Sequence, residues 1–182
     1  MKVVITSVVI AILLALAVSL PALASQNGTI IITMTGLSEI SISLDKTQWP
    51  LGTVASNTEY DTNPQIEWCT LTIQGTSNVN TFIVGNDAKW VSDPDAYEWT
   101  LSNDGSNGEH IYGLRFRISG DTTRGYVPIT KTQSEFWPYS GGSGSSLAPG
   151  DTKQFGLRLL TPTYFFSGRQ VQTQITISAV AA

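Results

Sequence analysis

Apolar and polar residues alternate with a period of two along most of this chain, in short runs separated by Gly, Asn, Asp and Ser. Such alternation puts every second side chain on one face of an extended strand, and beyond the leader no helical apolar period is sustained. Gly28–Thr35 is a β-branched run, and Ile40, Ile42 and Leu44 alternate with Ser41 and Ser43. Gln65–Gln74 and Val79–Val84 read as a hairpin closed by Gly75-Thr76-Ser77-Asn78. Tyr97–Ser102 and Ile111–Ser119 flank the polar connection Asn103–Glu109, rich in residues that tolerate positive φ. Gly125–Thr132 makes a short strand that Pro128 confines to an edge. Phe155, Leu157 and Leu159 share one face of Lys153–Leu160, as Val171, Ile175, Ile177 and Ala179 do in Gln170–Val180. About eight strands at this spacing predict an all-β fold, an antiparallel two-sheet β-sandwich of immunoglobulin-like or jelly-roll-like build. The Gly/Ser stretch Ser140–Ser146 is too short for a domain boundary and reads as a mobile surface loop.

The exception to alternation is the start of the chain. Val3–Val18 is an almost unbroken apolar run behind Lys2, and Ala22-Leu23-Ala24 has the small-x-small pattern of a signal-peptidase site, with Pro21 breaking the segment before it. Residues 1–24 are therefore expected to be a signal peptide and 25–182 a single exported domain, secreted or held at the cell surface. An uncleaved leader is the one route to a membrane, and the run is shorter than a comfortable span of about 20 residues.

Composition narrows the function. The net charge is −4, and removing Lys2 leaves nine basic against fourteen acidic residues, or −5. That balance argues against nucleic acid, which requires clustered Lys and Arg. The nearest approach to a cluster is Arg115 and Arg117, which an i, i+2 spacing puts on the wet face of a strand opposite Leu114, Phe116 and Ile118. A lone cysteine, Cys69, excludes an intramolecular disulfide and reads as a small buried hydrophobe beside Leu71 and Ile73.

A β-branched N-terminal strand behind a leader is followed by Ser43-Leu44-Asp45-Lys46-Thr47-Gln48-Trp49-Pro50-Leu51-Gly52-Thr53-Val54. A late Leu147-Ala148-Pro149-Gly150-Asp151 turn then precedes an amphipathic strand. In this order the elements resemble secreted prokaryotic surface β-sandwich proteins. The nearest named group is the TasA/camelysin-like fibre-forming sandwiches, with archaeal surface pili of the same build. The resemblance is one of pattern over most of the mature chain. It implies homopolymers built by strand donation, with Thr29-Ile30-Ile31-Ile32-Thr33-Met34-Thr35 as the donated strand and Gly36 as its hinge. The alternative is an ordinary first strand that pairs within its own sheet.

No constellation of side chains specifies catalysis. His110 is the single histidine and lacks the partners that a triad or a zinc site requires, so it reads as an exposed loop residue. Glu67, Glu98, Glu109 and Glu135 have the residue type that glycoside hydrolysis uses, but nothing singles out one pair. The expectation is a non-enzymatic protein without cofactor. Calcium is the inorganic ligand best suited to the loops Asp104–Glu109 and Asp93-Pro94-Asp95, though ordinary turn chemistry explains both. Asn27-Gly28-Thr29 matches the N-glycosylation sequon. The richest functional feature is aromatic: five Trp and six Tyr, several of them in segments that read as loops, Lys89-Trp90 and Glu135-Phe136-Trp137-Pro138-Tyr139. Exposed planar rings stack on sugar faces, so the alternative function is a carbohydrate-binding module using Trp90, Trp137 and Tyr139, with a glycan or cell-surface partner. Sandwich cores also consume large rings.

Overall fold

Twelve strands and no helix make up the described part of the chain, and they form two sheets. The computed structural model describes residues 40–138, 144–166 and 168–182. The leader, the strand Thr29–Thr35 and Tyr139 lie outside the described residues. In chain order the strands are β1 (Ile42–Leu44), β2 (Glu59–Asp61), β3 (Cys69–Ile73), β4 (Val79–Gly85), β5 (Ala88–Trp90) and β6 (Asp93–Leu101), then β7 (Ile111–Ile118), β8 (Val127–Pro128), β9 (Ser134–Trp137), β10 (Thr152–Leu160), β11 (Val171–Gln172) and β12 (Ile175–Ala181). The larger sheet runs β1-β3-β10-β7-β6-β5-β11, with β2 on β10 and β8 on β7, and the smaller is β12-β4-β9. All pairings are antiparallel except a two-residue parallel stretch between β6 and β7.

The periodicity holds where strands are long. β4 alternates buried and half-buried positions along its whole length, with Val79, Thr81 and Ile83 inward. β3 does the same with Cys69, Leu71 and Ile73. The expected hairpin between them does not form: β3 pairs with β1 and β10, whereas β4 pairs with β12 and β9. The turn between them carries the chain from one sheet to the other. Local alternation specifies a strand's two faces but not its neighbour, which is set by the register of distant segments.

Two further expectations are corrected. Lys89-Trp90 and Glu135–Trp137 are strand residues of β5 and β9, not loops. Phe136 is completely buried, stacked on Phe116 of β7 with centroids 5.2 Å apart and edge-on to Phe155 of β10 at 5.2 Å. Gln65–Trp68 is also not strand. Pro64 starts a tight turn in which the Asn63 carbonyl accepts from the amides of Ile66, Glu67 and Trp68. Trp68 is thereby laid over the backbone of Gly156 in β10, where a Cβ would collide with the indole.

One buried cluster takes side chains from both sheets, including Leu71, Ile73, Ile83, Leu101, Phe116, Phe136 and Phe155. Tyr112 of β7, also completely buried, adds the main polar tie within it. Its hydroxyl donates to the Asn86 carbonyl at 2.5 Å and lies 2.7 Å from the Thr173 hydroxyl, which itself donates to the same carbonyl at 2.8 Å. Asn86 lies between β4 and β5 and Thr173 between β11 and β12, two of the places where the chain passes between the sheets. Burial pushes the phenol well above its ordinary pKa, so the group stays a donor at every physiological pH. Tyr112→Phe is expected to destabilise the fold by about 1–2 kcal/mol. The readout is a lower urea midpoint with an unchanged slope; an unchanged midpoint would show that Thr173 alone satisfies the corner.

Candidate functional site

Two of the three rings singled out in the sequence, Trp90 and Trp137, are among the described residues, and each is capped by a cation. Trp90 on β5 is half-buried, and the Arg169 guanidinium lies over its ring at 3.6 Å. Trp137 on β9 is half-buried beneath the Lys153 ammonium at 3.9 Å, with Gly144 packed on its six-membered ring. These two tryptophans belong to different sheets and do not combine into one platform.

The exposed aromatic surface is built from the β6–β7 loop and the segment that follows β10. Asp104 organises the start of that loop. Its Oδ1 accepts from the Ser102 hydroxyl at 2.7 Å, the Ser106 amide at 2.9 Å and the Ser106 hydroxyl at 2.5 Å. These hydrogen bonds, those of Ser106 first, hold the Asp104 carboxyl far below the usual carboxylate range. Asn107 Nδ2 then donates to the Thr161 carbonyl at 2.7 Å and to Asn57 Oδ1 at 3.0 Å, tying the loop to the end of β10. Gly108 and Ile111 exchange backbone hydrogen bonds of 3.0 and 3.2 Å, which forces His110 into a left-handed conformation at φ 55°.

The His110 amide donates to the Tyr164 carbonyl at 3.0 Å, and the Thr163 amide donates to the Gly108 carbonyl at 2.9 Å. Extended backbone at 164–166 turns Phe165 inward onto Trp99, centroids 4.9 Å apart. Its two neighbours must then point outward: Tyr164 is 52% and Phe166 62% exposed. His110 completes the cluster, 5.6 Å from the Tyr164 ring and 5.3 Å from that of Phe166, and Ile111 borders it at 38% exposure. The result is a mixed aromatic surface with the Glu109 carboxylate in solvent beside it. The sequence signal for it is three successive aromatics, Tyr164-Phe165-Phe166: a strand-like segment cannot bury all three on one face.

The remaining candidates stay apart. Asp104, the best calcium donor in the sequence, spends one carboxylate oxygen on its own turn. No group of three His, Cys, Asp or Glu side chains able to hold a metal is found among the described residues. Glu67 caps the turn at Asn63, Glu98 is buried on β6, and Glu109 and Glu135 are exposed on a loop and on β9. Cys69 is buried, with its thiol 3.2 Å from the Lys46 carbonyl, and desolvation pushes its pKa up, as suits an inert thiol.

Comparison with protein-family models finds no match, and comparison with curated proteins finds no similar sequence. Any reading of function therefore rests on the residues themselves.

Rings held at a surface without burial contribute little to folding. The double substitution Tyr164→Ala, Phe166→Ala is expected to change stability by less than about 1 kcal/mol, whereas Phe165→Ala should cost about 2 kcal/mol or more. Urea unfolding distinguishes the two; equal losses would mean that all three rings belong to the core.

Proposed function

We propose that this protein is a non-catalytic, secreted or cell-surface β-sandwich with a structural or interaction role, whose subunits assemble into homopolymers by donation of the N-terminal strand Thr29–Thr35. Support for the sandwich is the shared core in which Phe136 of the smaller sheet packs on Phe116 and Phe155 of the larger. The leader and the resemblance to TasA/camelysin-like fibre subunits support export and polymerisation.

The observation that carries the assembly reading is the outer edge of β12. This seven-residue strand pairs with β4 on one side, and among the described residues no strand lies on its other side. Its sequence, ITISAVA, has no charge and no proline, the usual devices by which exposed edges are blunted. Ile175, Ile177 and Ala179 pack against the core yet remain only partly buried. An edge of this kind is a template for an added strand: main-chain hydrogen bonds supply affinity and alternate side chains the fit. Thr29–Thr35 has the same length, is equally uncharged and carries the β-branched residues such a partner requires.

Residues 25–182 are expected to form oligomers or filaments by size-exclusion chromatography and electron microscopy, and the same chain lacking Gly28–Thr35 is expected to be a soluble monomer. Monomers from both chains would return the strand to its own sheet and reject assembly.

A second reading, glycan binding, is favoured by one observation: the exposed rings of Tyr164 and Phe166 clustered with the half-buried His110. Ring faces of this kind stack on the C–H faces of pyranoses, and Glu109 supplies an acceptor for their hydroxyls. On this reading Tyr164→Ala, Phe166→Ala abolishes retention on a glycan array while Trp137→Ala preserves it. No retention of the parent protein on a broad array would remove the reading.

A further inference from the structure

We propose that the cleft between β2, β7 and β10 is a binding site for a single carboxylate group, taken by the guanidinium of Arg115. The cleft has a volume of about 60 Å3 and is lined by Glu59, Gly105, Gly113, Arg115, Arg158 and Leu160. That is room for a few water molecules or one carboxylate.

Its charge arrangement is unequal. Arg115 and Arg158 are direct cross-strand partners in the β7–β10 register, so two guanidinium groups project from neighbouring positions on the same sheet face. Like charges in that relation repel unless anions separate them. Arg158 has its anions: Asp61 receives two hydrogen bonds from it, each of 2.6 Å, and Glu59 lies 3.1 Å from its Nη1. The Tyr126 ring covers the Arg158 guanidinium at 4.0 Å. Arg115 has no such partner. Among the described residues no carboxylate lies within ion-pair distance of it, although its side chain is half-buried.

The geometry around Arg115 is constrained rather than loose. Gly105, at φ 77°, packs so closely on the Arg115 side chain that a Cβ there would lie 2.5 Å from Nε. Gly113 packs against the carbonyl of Gly105 with no room for a side chain. Two glycines therefore seat the loop on the stem of Arg115 beside an open cleft. A guanidinium presents a planar fork that matches a carboxylate bidentately, and a partly desolvated fork gains most from such a ligand. Glu59 stands on the same wall and opposes an incoming anion. It is committed to Arg158, so it tunes affinity without filling the site.

The test is an amide and arginine side-chain NMR titration of the exported chain with acetate, glucuronate, glucose and sodium chloride. Acetate and glucuronate are expected to give saturable shifts at Arg115 Nε–H and in the Gly105 segment, with none from glucose and only gradual, unsaturated drift from chloride. Stronger binding of glucuronate than acetate would identify an acidic sugar as the source of the carboxylate; equal binding would indicate the carboxylate alone. Arg115→Gln should weaken binding roughly tenfold or more, and Arg115→Lys, which keeps charge but loses the fork, should weaken it by a smaller factor. Glu59→Gln should tighten binding, while Arg117→Gln, two positions along the same face, should leave it within about twofold. If Arg115→Gln does not fold, the Lys and Glu59 variants carry the test. Absence of saturable shifts with both carboxylates, or equal weakening by Arg115→Gln and Arg117→Gln, would overturn the site.

Discussion

The contact on which the rest of the structure depends is the aromatic joint formed by Phe136 of β9, Phe116 of β7 and Phe155 of β10. It is the place where the small sheet is seated on the large one, and it is reinforced from the side. Asp121 accepts from the amides of Thr123 and Arg124 and holds the Arg124 guanidinium at 2.8 Å. That guanidinium donates to the Phe136 carbonyl at 3.2 Å and lies over the Phe116 ring at 5.6 Å. Desolvation works against the Asp121 charge, but these donors outweigh it and hold the carboxyl below its ordinary pKa. With a single cysteine and so no internal disulfide, a ring stack and one shielded ion pair do the fastening that cystines supply in disulfide-rich domains.

The same joint explains the division of labour between the faces of the large sheet. With Phe116 and Leu114 committed inward, Arg115 and Arg117 of β7 must face out, and β10 brings Arg158 beside Arg115. The outward face is accordingly charged. β2 pairs beside β10 within the sheet, and its Glu59 and Asp61 neutralise Arg158 on this face; Trp68 lies over Gly156, Tyr126 over Arg158, and the glycine-seated loop before β7 over the stem of Arg115. Polar residues gather on the outer face and apolar ones in the core shared by both sheets, and among the described residues the large rings include core members, cation-capped tryptophans and the exposed pair Tyr164 and Phe166 beside His110.

Among the described residues, the groups that could carry chemistry are kept apart. Acids are dispersed over separate elements, the histidine is held among aromatic rings, and the thiol is buried. The surface carries an uncharged strand edge at β12, an aromatic cluster between two stitched loops, and a cleft with one arginine that has no ion-pair partner among the described residues. Each sits on a sheet or beside one.

The sequence by itself determined the class of fold and the faces of its long strands. Alternation in Val79–Val84, Ile111–Ser119 and Lys153–Leu160 dictates which residues turn inward, because the pleat has a period of two whatever the neighbour. It also placed Pro128 at an edge and Cys69 inside. Only the tertiary structure decided which strands pair, so the expected β3–β4 hairpin became a crossing between sheets. It also made strands of short segments such as Glu59–Asp61 and Ser134–Trp137, whose pattern is too brief to register and which are extended because β10 and β4 hold them so. The same limit applies to the aromatic surface. Whether a ring is wet depends on what lies above it, and Arg169 over Trp90, Lys153 over Trp137 and open solvent over Phe166 are all facts of long-range packing that no local pattern contains.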